Sequence, residues 1–193
     1  MIHPRDILHP GDGLLVVDVQ NDFCPGGALA VPDGHEVVPV LNPFIEHAAE
    51  HRLPMYFSRD WHPKNHISFQ AQGGDWPPHC VQDTEGAAFH PDLIVPDQAV
   101  IVTKGARFDQ DQNSAFDETG LAERLRLDGV ARLVVGGLAL DVCVQASVLD
   151  GLEAGFPMAL ILPATRPADP AAGQAAVEAM RRAKTNIIQE NPQ

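Results

Sequence analysis

The 193-residue chain is short of cysteine, of positive charge and of long apolar runs, and each shortage removes a class of function. Its three cysteines, Cys24, Cys80 and Cys143, are too few and odd in number for a disulfide framework. They are expected as free thiols of a reducing compartment, where one can act as a nucleophile. Lys and Arg total 13 against 26 Asp and Glu, a formal net charge of −13. Nucleic acid and anionic membranes both attract basic patches, so neither is an expected partner. No apolar run approaches the roughly 20 residues of a membrane span. The opening "MIHPRDILHPGDG" lacks the apolar centre of a signal peptide, which points to the cytoplasm.

What is present is a globular composition, 45% hydrophobic and 20% charged, at a length that suits one domain over residues 1–193. Five short apolar runs stand out: "GLLVVDV" (13–19), "LPMYFS" (53–58), "AVIVTK" (99–104), "RLVVGG" (132–137) and "PMALIL" (157–162). Each is too short for a free-standing helix and is bounded by turn residues or charges, as strands buried on both faces are. "NII" (186–188) fits a last edge strand. Helical spacing appears over 36–51, 120–129, 141–155 and 169–184. Asp141 suits a cap for the third of these helices, and Asp169–Pro170 opens the fourth, which ends in basic residues. The alternation predicts an α/β sandwich around a parallel sheet. Residues 60–98 break it: they are rich in Pro, Gly, His and Gln, and a loop this long in a compact domain is usually functional.

In open α/β sheets ligands bind outside the carboxyl ends of the strands. Asp18 follows the first run, Asp60 the second, Lys104 the third, and "GGLALDVC" leads from the fourth to Cys143. Two carboxylates, an ammonium and a thiol thus converge on one sheet edge. A helix N-terminus and a cation both lower a thiol's pKa, and Asp18 is placed to take the thiol proton. The glycine-rich approach lets backbone N–H groups meet a reacting carbonyl. Singly, each residue has a plainer role: a buried core cysteine, a loop-bracing aspartate, a surface lysine.

"RDWHPKNHISF" (59–69) adds a second constellation. Asp60 and His62 are two apart and point to the same side of extended chain, which Pro63 favours. Together they can share a divalent ion, with a third ligand from His66 or from His79 in "DWPPHC". His3, His9, His35, His47, His51 and His90 read as solvated or structural.

The motifs "VVDVQNDFCPGGALAV", "RDWHPKNHISF", "WPPHC", "TKG" and "GGLALDVCV" together resemble the nicotinamidase/pyrazinamidase branch of the isochorismatase-like cysteine hydrolases. The resemblance runs from about residue 13 to 183, in family order. It implies a Rossmann-like three-layer α/β sandwich with a mostly parallel central sheet, and hydrolysis of nicotinamide to nicotinate and ammonia. Residue by residue, it implies Cys143 as nucleophile, Asp18 as base and Lys104 as cationic partner. Ala139 and Cys143 would supply oxyanion N–H groups, with a cis peptide at Leu138–Ala139. Asp60, His62 and His79 match the metal ligands, and His66 a fourth position that varies between members. Phe23, Trp76 and Leu138 match substrate-binding positions. The implied cofactor is one divalent ion, zinc ahead of iron or manganese. The implied partner is a small amide, with self-association left open. Asn113 departs from the Tyr that often precedes "SAF", which bears on the pocket rim. Other readings stay open: a cysteine amidase for another small amide such as an N-carbamoyl compound, a metal-water hydrolase with Cys143 a bystander, an isochorismate-type hydrolase, or a non-catalytic module.

Overall fold

The computed structural model describes residues 2–189. Its centre is a six-stranded sheet in the order β3-β2-β1-β4-β5-β6, and every pairing is parallel. The strands are β1 (Asp12–Val17), β2 (Met55–Asp60), β3 (Val100–Lys104), β4 (Arg132–Leu138), β5 (Met158–Arg166) and β6 (Asn186–Ile188). The helices are α1 (Val38–Glu50), α2 (Leu121–Leu127), α3 (Gln145–Glu153) and α4 (Pro170–Arg182).

Side chains alternate across a strand, so β1 feeds two cores. Leu14 and Val16 pack with Leu41, Phe44 and Ile45 of α1, whereas Leu15 and Val17 pack with Leu121, Leu125, Val148 and Met180 from the other three helices. Both faces are therefore covered, which explains why the strands read as continuous apolar runs rather than alternating ones. The buried stripe of α1, Val38, Leu41, Phe44, Ile45 and Ala48, has helical spacing. Truncating Phe44 to Ala would cost about 3–5 kcal/mol at such a site.

Element positions agree with the expected runs to within a few residues, with two informative differences. β5 runs on through Pro163 to Arg166, because a register shift beside Val135/Gly137 lets Thr165 and Arg166 pair with Gly137 and Leu138. Asp141 does not cap its own helix. The segment Leu140–Val144 is π-wound, and the Asp141 carboxylate accepts from the N–H groups of Ala168 (2.7 Å) and Asp169 (3.0 Å). Asp169 does cap α4, accepting from Ala172 N–H at 2.8 Å.

The strand order reverses between β1 and β4, whose connections leave in opposite directions. This is the crevice where open sheets place ligands. Gly137 makes the approach there: its φ is +129°, and a Cβ would run into the Val17 backbone. The Leu138–Ala139 peptide that follows is cis.

Candidate active site

Four strand ends deliver the reactive groups. Asp18 follows β1 with a φ of 47°, which turns the chain out of the strand. Asp60 and Lys104 are register partners across β2 and β3. Cys143 lies on the π-wound turn between β4 and α3, a distortion frequent at functional sites. Within that turn the Val142 and Val144 N–H groups both donate to the Ala139 carbonyl at 3.1 Å, and the Cys143 N–H between them does not.

Lys104 is the hub. Its Nζ lies 2.9 Å from Asp18 Oδ2, 2.5 Å from Asp60 Oδ1, 3.3 Å from the Gln112 carbonyl and 3.5 Å from Cys143 Sγ. Asp18 is 0%, Lys104 1% and Cys143 6% exposed. Asp18 Oδ1 accepts from Ser58 Oγ at 2.7 Å. Its Oδ2 faces Lys104 within ion-pair distance yet receives no hydrogen bond of good angle, so it stays open to a proton.

Burial raises the Asp18 carboxyl above the ordinary carboxylate range, with Lys104 opposing and Asp60 assisting. Burial also opposes charge on Lys104, but Asp18 and Asp60 hold its ammonium well above the usual lysine value. Burial would raise Asp60 too, but Lys104 and His62 outweigh it and hold that carboxyl well below the usual range. For Cys143, burial pushes the thiol well above its ordinary value; Lys104 opposes this, and Asp18 and Asp60 add to it. The lowering expected from one cation and a helix start does not prevail. The resting group is a thiol beside an unsatisfied carboxylate oxygen, an arrangement suited to proton transfer on demand.

Asp60 also belongs to a second cluster. Donor atoms of Asp60, His62 and His79 all lie within 4.8 Å of one another, and all three residues are buried. His62 Nδ1 donates to the Gly105 carbonyl (2.9 Å) and His79 Nδ1 to the Pro77 carbonyl (2.8 Å). Carbonyls only accept, so Nδ1 carries a proton in both rings and Nε2 is the nitrogen left for a metal in the neutral tautomer. Burial, first of its causes, lowers the His79 pKa and favours the neutral ring. The donor set fits a divalent cation, and the two buried carboxylates outnumber the one ammonium between them. His66 stacks on His62 with ring centroids 4.0 Å apart, but its Nε2 contacts the Gln110 carbonyl (2.9 Å) and its Nδ1 contacts Ser68 Oγ (2.7 Å). It stands outside the cluster of three.

Above Cys143 lies a cavity of about 80 Å³, room for several waters or one small ring. Phe23 and Trp76 line it with Asp60, His79, Asn113 and Ala139. Leu138 does not: it is fully buried in the α1-side core.

Sequence reasoning passed over the braces. Gln20 clamps Asp60 through both the Asp60 N–H (2.8 Å) and C=O (2.7 Å). Asp22 accepts from the N–H groups of Cys80 (2.7 Å) and Ala28 (3.0 Å), which fixes the segment after His79. Polar "QND" straight after a buried strand was the available signal, since buried polar groups need partners.

A doubly wound parallel sheet with these groups at its switch point is the framework of an isochorismatase-like α/β enzyme. The isochorismatase domain profile matches residues 12–191. The chain belongs to the isochorismatase family, in its nicotinamidase/pyrazinamidase branch, and is an amidohydrolase. A nicotinamidase of Escherichia coli is 40% identical over 173 residues, covering 79% of this chain and 81% of that protein. The crystal structure of a Pyrococcus horikoshii pyrazinamidase in complex with zinc is 42% identical, with a TM-score of 0.91 over 94% of this chain and 100% of that one. A structure from L. infantum in complex with nicotinate is 34% identical, with a TM-score of 0.85 over 92% of each chain. Among the described residues no helix is long and apolar enough to cross a membrane.

Proposed function

We propose that the chain hydrolyses nicotinamide to nicotinate and ammonia, and accepts pyrazinamide, through a covalent Cys143 intermediate. The observation that carries this reading is the Lys104 ammonium, in contact with Asp18, Asp60 and Cys143 below an aromatic-walled cavity. A flat pocket between Phe23 and Trp76 suits a flat ring, with its carboxamide towards Cys143.

Asp18 takes the thiol proton as Sγ attacks the carboxamide carbon, and Lys104 stabilises the charge that develops. The carbonyl oxygen becomes an oxyanion facing the N–H groups of Ala139 and Cys143. Asp18 returns its proton to the departing nitrogen, the C–N bond breaks, and ammonia leaves a thioester. Water then attacks the thioester carbon while Asp18 accepts one of its protons. The C–S bond breaks, nicotinate forms, and Cys143 regains its thiol proton.

Asp60, His62 and His79 would hold one divalent ion, with zinc, iron and manganese all matching the donors. Such an ion would supply Lewis-acid withdrawal of electron density from the bound ring. His79 lines the cavity and would orient the ring.

The test is ammonia release from nicotinamide by purified, metal-supplemented protein, beside Cys143→Ala. Release by wild type alone is expected. Release by both would remove Cys143 from the nucleophile's role. Release by neither, with turnover of an N-carbamoyl amide instead, would move the chain to a different small-amide substrate.

A further inference from the structure

The loop after β3 contributes Gly105, Gln112 and Asn113 to the site's surroundings without regular structure of its own. Something must hold it. Gln112 is only 9% exposed, and all three of its polar groups outside the main-chain N–H are engaged. Its carbonyl accepts from Lys104 Nζ at 3.3 Å. Its Oε1 accepts from the Gly105 N–H at 2.8 Å, and its Nε2 donates to the Asp117 carbonyl.

Gly105 then passes the restraint on. Its own carbonyl accepts from His62 Nδ1 at 2.9 Å. Its φ is +63°, and a Cβ there would collide with the His62 ring, so no bulkier residue can stiffen this position. Glycine has the widest backbone freedom of any residue, and one peptide rotation would turn the carbonyl away from the imidazole. The Gln112 side chain pins the preceding peptide through the Gly105 N–H and so fixes the Cα from which that carbonyl swings, while the Gln112 main chain meets the Lys104 ammonium.

We propose that Gln112 is a positioning residue that locks the Lys104 and His62 ends of the site to one another. It acts through Gly105 on the imidazole and through its own carbonyl on the ammonium. The inference rests on the reading of Asp60, His62 and His79 as metal ligands and of Lys104 as the cation of the reaction. Removing a partner that orients a metal-bound histidine typically weakens metal affinity or activity by about 10–100-fold. Gln112 stands one link further out, so about a tenfold effect is expected.

The experiment compares zinc retention against a competing chelator, kcat and KM for nicotinamide, and the thermal midpoint. The variants are Gln112→Met, which keeps the bulk without the hydrogen bonds, and Gln112→Glu, which keeps an acceptor for Gly105. Gln112→Met is expected to release zinc about tenfold more readily and to lose kcat by a similar factor, with KM within about twofold. Gln112→Glu should recover part of the zinc retention, because it restores the Gly105 contact but not the Asp117 one. Wild-type zinc retention in Gln112→Met, whatever happens to the thermal midpoint, would overturn the inference. If wild type itself takes up no zinc, iron or manganese, the metal-site reading fails and this inference falls with it. Retention by wild type with no loss in Gln112→Met leaves that reading standing and sinks this one alone.

Discussion

The two ends of the same parallel sheet treat charge in opposite ways. At the amino end, carboxylates meet guanidinium groups in matched pairs. Asp12 takes two hydrogen bonds from Arg132, and Asp128 accepts from Arg124 Nε at 2.8 Å and Tyr56 Oη at 2.7 Å. At the carboxyl end, Asp18 and Asp60 share one ammonium inside the protein, and the Cys143 sulfur lies 3.5 Å from that ammonium and within 4.8 Å of both carboxylates. Buried ion pairs are weak evidence for stability, since desolvation cancels much of their attraction. The unmatched end therefore makes sense as chemistry held in place by the fold, and the matched end as part of what holds it. At the unmatched end four buried groups in one cluster, Asp18, Asp60, Lys104 and Cys143, are displaced from their ordinary values, as groups at functional sites often are.

Lys104→Met should break the contrast most severely. It removes the one cation and leaves two buried carboxylates facing each other. Activity should fall by about 10³-fold or more. Stability near neutral pH should fall by about 3 kcal/mol, the cost of stranding buried charge. The pH response of the Asp60 carboxyl should also reverse. In wild type the Asp60 carboxyl is depressed, so its contribution is present above the ordinary carboxylate value and is lost as pH falls through the folded one. In the variant both carboxyls rise. Groups with raised values bind protons in the folded state, so the deficit should shrink as pH drops from about 7 to about 5. Denaturant melts across that range decide it, and a deficit that grows on acidification would refute the charge account.

Asp12→Asn perturbs the other end, with a smaller effect of a different kind. Asp12 Oδ1 lies 2.9 Å from Arg132 Nε and Oδ2 lies 2.5 Å from Arg132 Nη2. Losing one half of a two-pronged, charge-assisted contact should cost about 2 kcal/mol of unfolding free energy. The residue opens β1, at the far end of the strand from Asp18, so kcat per folded molecule should not change. A kcat loss with intact stability would mean that the two ends are coupled.

This asymmetry also governs what could be read from residues alone. The convergence of Asp18, Asp60 and Lys104 was legible because short apolar runs locate strands and these residues end or directly follow one, and Cys143 comes a few residues past β4 on the turn that leaves the same edge. The extra length of β5 was not, since Pro163 reads as a stop and only the register shift in β4 carries the strand past it. Asp141 looked like a helix cap, but its partners Ala168 and Asp169 are almost 30 residues further on and come close only after folding. Likewise His62 and His79 are separated by sixteen intervening residues, and their common facing depends on backbone carbonyls of Gly105 and Pro77 that have no sequence signature. Local pattern finds groups placed by strands. Groups placed by loop hydrogen bonds need the assembled structure.

The smallest expected effect tests whether the amino end is as passive as its pairing suggests. Burial would raise the Asp128 carboxyl, but the Tyr56 hydroxyl and Arg124 outweigh it and hold that carboxyl below its usual range. A depressed acid contributes stability above its unfolded value, about pH 4, and loses it as pH falls through the folded value. The side chain is partly exposed, so solvent screens the pair and the contribution should be about 1 kcal/mol or less. Asp128→Asn should then lower the thermal midpoint at neutral pH by about 2–4 °C. Below about pH 4 the gap to wild type should narrow, because the wild-type carboxyl has by then taken a proton. Nicotinamide turnover should stay at the wild-type rate throughout. Tyr56 forms part of the β2 core on the face of α2, so a turnover change here would show strain passing along β2 to Asp60. That result would make the sheet a mechanical link between its ends, where matched and unmatched charge otherwise act independently.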